Sequence, residues 1–386
     1  MSISQFENRL SHQALSLSGL VRRVTASQPS ELNAAFAQIE QACKDGHWVA
    51  LLLAYELGEW LEPSLLATAS PPEAKPRLTA LIYEHMTPST PWEAQDSVRY
   101  PNESPGIISV TPCISHDQYI KTIEHIRDWI AQGEVYQINS TFPLDVMTRG
   151  RPELLYRHLA CKHPSAFSAY IEDEGRTILS FSPELFLRKD GNTLTTRPMK
   201  GTAPRSEDPD LDQQTGQALQ SSQKDRAENL MIVDLLRNDL GRVAVPGSVK
   251  VDALFTLEQY PSVWTMTSTI RAHISSGVSF RDILRAVFPC GSVTGAPKIA
   301  AMKRIRETEA HPRGLYCGSV GWMAPNGDFE LNVAIRTLVL DEKGQGRYHV
   351  GSGIVYDSVP SKEWEECQWK SRILGTNIWT SQPTQP

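Results

Sequence analysis

The stretch Thr193-Leu194-Thr195-Thr196-Arg197-Pro198-Met199-Lys200-Gly201-Thr202 limits what this chain can fold into more than any other. Its leading β-formers favour a strand, Pro198 removes a backbone donor, and Gly201 permits backbone angles that side chains disfavour. The pattern predicts a strand that ends in a tight bend, with Lys200 presented on a fixed backbone. Gly201 would let a ligand approach the main chain closely. Lys200 is then a candidate nucleophile, provided that partial burial or a nearby cation lowers the pKa of its amine.

Elsewhere helical and strand periodicities alternate. Glu31 to Lys44 reads as a helix with Ser30 as N-cap, and His47 to Tyr55 is an apolar run of buried-strand length. Residues 69–76 and 86–107 are rich in Pro and Ser and read as a linker or exposed loop. Ser115 and Gln118 form a capping box for a helix carrying Tyr119, Ile123, Ile126 and Ile130, which Gly133 stops. Val135 to Thr141 alternates as a strand, with Gln137 and Asn139 sharing a face, and residues 166–187 and 192–198 predict more strands.

Gln223 to Leu240 reads as a long helix closed by Gly241, with Glu228 on a partly apolar side beside Ile232 and Leu235. Phe280 to Val287 is helical, Pro289-Cys290-Gly291 breaks it, and Ala296 to Glu307 is helical again. Tyr316 to Met323 and Phe329 to Leu340 predict a hairpin around Pro325-Asn326-Gly327, and Tyr348 to Val355 another strand. Pro360 opens a final helix that carries Glu363, Glu366 and Lys370 on one face, and residues 381–386 form a polar tail. Helices interleaved with hairpins of antiparallel type predict an α+β fold.

At 386 residues the chain has room for one large domain or two ordinary ones. A net charge of −6 with no basic stripe argues against a nucleic-acid partner. No stretch approaches the roughly 18 apolar residues of a membrane span, and Met1 to Arg23 lacks an apolar signal core. Six cysteines without CxxC spacing read as reduced thiols of a cytoplasmic enzyme without a zinc site.

Around Lys200 five further segments recur in a telling order. They are Ser180-Phe181-Ser182-Pro183-Glu184, the run from Glu228 to Asp239, Gly291-Ser292-Val293-Thr294-Gly295-Ala296-Pro297-Lys298, Ala334-Ile335-Arg336-Thr337, and Gly351-Ser352-Gly353-Ile354-Val355. Together, over roughly residues 113–375, they resemble the chorismate-utilising enzymes: anthranilate, aminodeoxychorismate, isochorismate and salicylate synthases. The resemblance implies an anthranilate-synthase-like core of two packed antiparallel β-sheets flanked by helices, in α/β/β/α layers. Residues 1–110 would contribute to that same fold, 111–378 would form the chorismate-binding core, and 379–386 a flexible tail.

The resemblance also implies site residues. Chorismate carries two carboxylates, which call for cations and backbone amides. The glycine-rich turn at Thr294 and Gly295 precedes a helix and so favours an anion. Arg336, on a strand, would grip a carboxylate with two parallel hydrogen bonds, with Lys370 and Tyr316 adding a charge and a hydroxyl. Gly201, Thr202, Gly351, Gly353 and Gln137 complete the expected substrate-binding set. Glu228 and Glu366 would hold Mg²⁺, with Glu363 as an outer or third ligand.

Three positions sort the relatives. Isochorismate and salicylate synthases place a water-activating Lys where this chain has Gln137, which cannot take a proton from water. Anthranilate synthases carry Ala where this chain has Lys200, whereas the aminodeoxychorismate synthases carry a nucleophilic Lys. Many relatives place a His where this chain has Thr265. The expectation is therefore amination of chorismate to 4-amino-4-deoxychorismate through a covalent bond to Lys200, with Glu184 protonating the leaving oxygen. Ammonia would come from a glutamine amidotransferase partner or from solution, because no Gly-x-Cys-x-Gly turn is visible. The alternatives are an anthranilate synthase component I and a non-catalytic chorismate-binding homologue.

Overall fold

The computed structural model describes residues 3–67, 69–71, 75–94, 104–260, 263–375 and 379. It combines helices with strands whose ladders are antiparallel, and a single isolated bridge among the described residues, from Val110 to Trp379, is parallel. One hydrogen-bonded path starts at the strand Gly106–Pro112 and passes through Gln137–Arg149, Gln345–Ile354, Thr337–Asp341, Arg176–Ser182 and Phe167–Asp173. It continues through Ser4–Asn8, Gln13–Ala26, Leu78–Ser89, Trp48–Leu53, Ser319–Met323 and Phe329–Asn332. Leu185–Asp190, Thr193–Arg197, Val263–His273 and Lys250–Gln259 complete it. The amino-terminal strands thus lie in the middle of the path and pair with strands from far along the chain.

Several predicted elements form as read. Ser115 caps the helix His116–Ala131 with the reciprocal Gln118 bond, and Ser222 caps Gln223–Gly241. The helices Phe280–Val287 and Pro360–Lys370 also appear. All six cysteines are free thiols.

Other readings are corrected. The first helix spans Leu32–Lys44 after a 3-10 turn at Pro29–Glu31, and Glu31, not Ser30, accepts the backbone N–H groups of Ser27 (2.7 Å) and Gln28 (3.2 Å). Residues 86–89 belong to the strand Leu78–Ser89, because pairing with Gln13–Ala26 satisfies a backbone whose polar side chains suggested a loop. Residues 95–103, the rest of that expected loop's centre, and the tail 380–386 lie outside the described residues. The hairpin around Gly327 joins Ser319–Met323 to Phe329–Asn332 only, and Thr337–Asp341 is a separate strand paired elsewhere. The helix predicted from Ala296 starts at Lys298, since Gly295 and Ala296 pair with Ile138 and Gln137 of the strand Gln137–Arg149.

A buried cation ties these elements together. Arg313 donates to the carbonyls of Asn139 (2.6 Å) and Val293 (2.9 Å) and forks onto Glu309 (2.6 and 2.8 Å). Glu309 in turn accepts from the Thr141 backbone N–H at 2.9 Å. The Arg313–Glu309 pair is almost fully buried, so each charge depends on the other. Replacing Arg313 by Met should therefore lower unfolding stability by about 3–5 kcal/mol, the usual cost of stranding a buried charge. Urea titration checks this, and the double change Arg313→Met with Glu309→Gln should recover part of the loss. A single-variant loss below about 1 kcal/mol would show that the pair is not a clamp.

Candidate active site

The strand that carries Thr193–Arg197 does not end in a bend. The chain resumes pairing at Met199–Pro204 against the same partner, Val263–His273. Pro198 lacks an N–H and interrupts the ladder. Met199 pairs with Thr267 and Thr202 with Thr265, so one extra residue bulges from this strand. Gly201 supplies the left-handed backbone the bulge needs, with φ of +81°. Thr265 donates its hydroxyl to the Gly201 carbonyl at 3.1 Å. The residue that replaces the expected His thus pins the bulge instead of lining the cavity.

The bulge aims Lys200 into a cavity of about 260 Å³. Of the expected site residues, Glu184, Lys200, Gly201, Thr202, Glu228, Tyr316, Arg336, Gly351, Gly353, Glu363, Glu366 and Lys370 line it. They arrive from seven separate segments of sequence, brought together by the strand path and by the helices packed on it.

Thr294, Gly295 and Gln137 do not line it. Thr294 is buried and donates its hydroxyl to the Cys290 carbonyl at 2.6 Å. Gly295 pairs with Ile138, so the turn does not present open amides at a helix start. Gln137 sits just behind the wall. A Cβ on Gly353 would lie 2.7 Å from Gln137 Nε2 and would crowd that amide, while it would come within van der Waals contact, 3.4 Å, of Lys200 Nζ. Neither polar atom of the Gln137 amide has a hydrogen-bond partner among the described residues.

Electrostatics set the chemistry. Glu184 stands in the short connection between the strands Arg176–Ser182 and Leu185–Asp190 and is only 4% exposed. Burial pushes its carboxyl up to about 7, against the opposing pull of the Ser292 hydroxyl at 2.7 Å and of the Lys200 charge. Loss of solvation lowers the Lys200 amine below its ordinary value, while Glu228 and Glu184 resist that shift. An acid that is protonated near neutrality and an amine relieved of part of its proton affinity therefore face one cavity.

Arg336 is not on a strand. It follows Phe329–Asn332 in the connection to Thr337–Asp341, with φ of +51°, and loss of solvation lowers its pKa. No carboxylate pairs with it among the described residues, and the phenols of Tyr348, Tyr260 and Tyr316 lie around it. That leaves a guanidinium fork free for an anion. Lys370, by contrast, already donates to the Gly351 carbonyl (2.7 Å) and to Glu366 (2.6 Å).

The carboxylates come from two helices. Burial raises the Glu228 carboxyl, and the neighbouring charges of Asp225 and Glu363 push the same way against Lys200 and Lys224. Among the described residues no three His, Cys, Asp or Glu side chains are gathered into a finished metal cage.

Sequence reading missed Asn139, Lys224, Asp225, Ser292 and His349, which also line the cavity. His349 was legible in principle, because it precedes Gly351 and Gly353 at period two on one strand face. Burial holds it neutral, near 3, and it stacks on Tyr316 at 5.2 Å.

Residues 5–375 match the family described as chorismate binding enzyme. An aminodeoxychorismate synthase component 1 of Salmonella typhimurium is 42% identical over 258 residues, 67% of this chain and 57% of that protein. An anthranilate synthase component 1 of Streptomyces coelicolor is 39% identical over 271 residues, 69% of this chain and 52% of that protein. The matched part is thus little more than half the length of these relatives. In fold, the chain is similar to anthranilate synthase component I from Streptococcus pneumoniae, with a TM-score of 0.80 at 23% identity over 94% of this chain and 92% of that one. No helix among the described residues is long and apolar enough to cross a membrane. The match across nearly the whole sequence, joined to a fold and a cavity assembled from the same segments, makes this chain a member of the chorismate binding enzyme family.

Proposed function

We propose that this chain aminates chorismate to 4-amino-4-deoxychorismate. The observation that carries the reading is Lys200, an amine of lowered pKa in one cavity with a carboxyl of raised pKa. An anthranilate synthase has no use for a nucleophile there, which is why the aminodeoxychorismate relatives are followed over the anthranilate ones.

The steps balance as follows. Arg336 holds a substrate carboxylate. The neutral Lys200 amine bonds to C2 as the ring double bonds shift and the C4–O bond breaks. Glu184 gives its proton to the departing oxygen, which leaves as water, and becomes a carboxylate. Ammonia then bonds to C4, the ring electrons shift back, and the C2–N bond breaks to return a neutral Lys200. The new ammonium gives a proton to Glu184, which restores the acid. The pyruvyl group stays in place. In this reading the ammonia comes from a glutamine amidotransferase partner or from solution.

The carboxylates also fit a hard divalent cation. Glu228 lies among the carboxylates of Asp225 and Glu363 as well as the amines of Lys200 and Lys224, and Mg²⁺ is ordinarily held by one or two carboxylates with waters and substrate oxygens completing its shell. Glu228 and Glu366, with Glu363 nearby, would hold it, and Lys370 would have to share Glu366 with it. When bound it would withdraw charge from a substrate carboxylate and ease loss of the C4 hydroxyl.

Three outcomes test this. Incubation with chorismate, ammonium and Mg²⁺ should give 4-amino-4-deoxychorismate by mass, and Lys200→Ala should reduce that product to background. Trapping the wild type with chorismate without ammonia should leave a mass increment on Lys200. Pyruvate release with an aromatic amine would instead identify an anthranilate synthase.

The second concerns pH. The acid must be protonated, so the rate should fall as pH rises through about 7, the value to which burial lifts Glu184. Glu184→Gln should remove this limb and cost about 10²–10⁴-fold in kcat. A wild-type profile flat from pH 6 to 9 would exclude Glu184 as the acid.

The third concerns the cation. Glu228→Ala and Glu366→Ala should each raise the Mg²⁺ concentration for half-maximal rate by at least about tenfold. An unchanged magnesium titration would remove that residue from the ligand set.

A further inference from the structure

An acid is useful only if its proton faces the substrate. Glu184 has two oxygens, and a proton on the wrong one would be spent on the protein. Glu184 Oε1 lies 2.7 Å from Ser292 Oγ, and both residues are almost fully buried. Ser292 Oγ also lies 3.2 Å from Cys290 Sγ. We propose that Ser292, itself oriented by the Cys290 thiol, is the positioning residue that turns the acid proton of Glu184 toward the cavity. The inference rests on the reading of Glu184 as the acid.

The direction of the chain follows from counting donors. Burial pushes the Cys290 thiol up to about 12, so it keeps its proton and has one to give. That proton meets a lone pair of Ser292 Oγ. The single hydroxyl proton of Ser292 is then left to donate to Glu184 Oε1. The Met199 backbone N–H donates to the same carboxyl, and with Oε1 accepting from Ser292 the carboxyl proton sits on Oε2. The turn Gly291–Val293 holds this order rigidly, because Thr294 clasps the Cys290 carbonyl from behind at 2.6 Å. The other ionisable groups acting on Glu184 are the Lys200 and Lys370 amines, and the Cys317 thiol feels its charge.

The same bond has a second effect. A hydroxyl that donates to a carboxylate favours the charged form, so it holds the acid nearer neutrality than burial alone would. Ser292 therefore both aims the proton and sets the pH at which it is lost.

The test is the pH dependence of kcat for product formation followed by mass. Ser292→Ala should move the basic limb upward by about one pH unit, as expected for losing a hydrogen bond to a charged group. Its low-pH plateau should fall about tenfold, one 1.4 kcal/mol increment in the barrier, with the chorismate KM within about twofold. Ser292→Thr should restore both limb and plateau. Ser292→Cys, a near-isosteric and weaker donor, should shift the limb partway and serves if the alanine variant does not fold. Cys290→Ala should lower the plateau in the same sense, and a wild-type plateau there would remove the thiol from the chain. A Ser292→Ala or Ser292→Cys enzyme with the wild-type limb and plateau would overturn the proposal. If Glu184→Gln keeps the basic limb, the reading of Glu184 fails. If it abolishes the limb while Ser292→Ala leaves it in place, this inference alone fails.

Discussion

Removal of water from one amine and one carboxyl is the constraint on which the rest of this site depends. Lys200 and Glu184 lie far enough from bulk water that each loses affinity for its charged form. In water they would pair as ammonium and carboxylate and neither would do chemistry. In the cavity the carboxyl titrates near neutrality and the amine is more readily neutral. Both shifts require surroundings that do not relax, because a mobile wall would admit water and restore ordinary values.

That rigidity comes from long antiparallel ladders. Gln345–Ile354 pairs with Gln137–Arg149 along its whole length and carries Gly353 beside Lys200. The Arg313–Glu309 pair then locks the strand at Asn139 and Thr141 to the turn at Val293 that bears Ser292. Acid, amine and their neighbours are thereby fixed by backbone contacts. The helix Pro360–Lys370 is tied to the same ladder through Lys370 and the Gly351 carbonyl.

Charge is distributed unevenly around the cavity. Arg336 faces it without an acid partner among the described residues, whereas Lys370 is already engaged with Glu366. An anionic substrate would meet the unpaired guanidinium more readily than the satisfied ammonium. The acidic side, with Glu228, Glu363 and Glu366, is balanced in part by Lys224 and Lys370.

The sequence by itself determined the periodic elements, such as the capped helix at Ser115 and the final helix with Glu363, Glu366 and Lys370 on one face. Those features are local, set by caps and by side-chain spacing, and so can be read along the chain. It also singled out Lys200, Glu184 and Arg336, through their motifs. Only the tertiary structure decided how they are held. Whether residues 199–204 bend away or pair again depends on a partner strand some 60 residues later in sequence, whose register makes Lys200 part of a bulge. Thr294 and Gly295 looked like an anion site from sequence, but their backbone is bonded to the strand Gln137–Arg149. Ser292 and His349 acquire meaning only from what lies opposite, since a hydroxyl or an imidazole carries no local signal of its partner. The same holds for the pKa shifts, because desolvation is a property of the assembled wall and not of any segment in it.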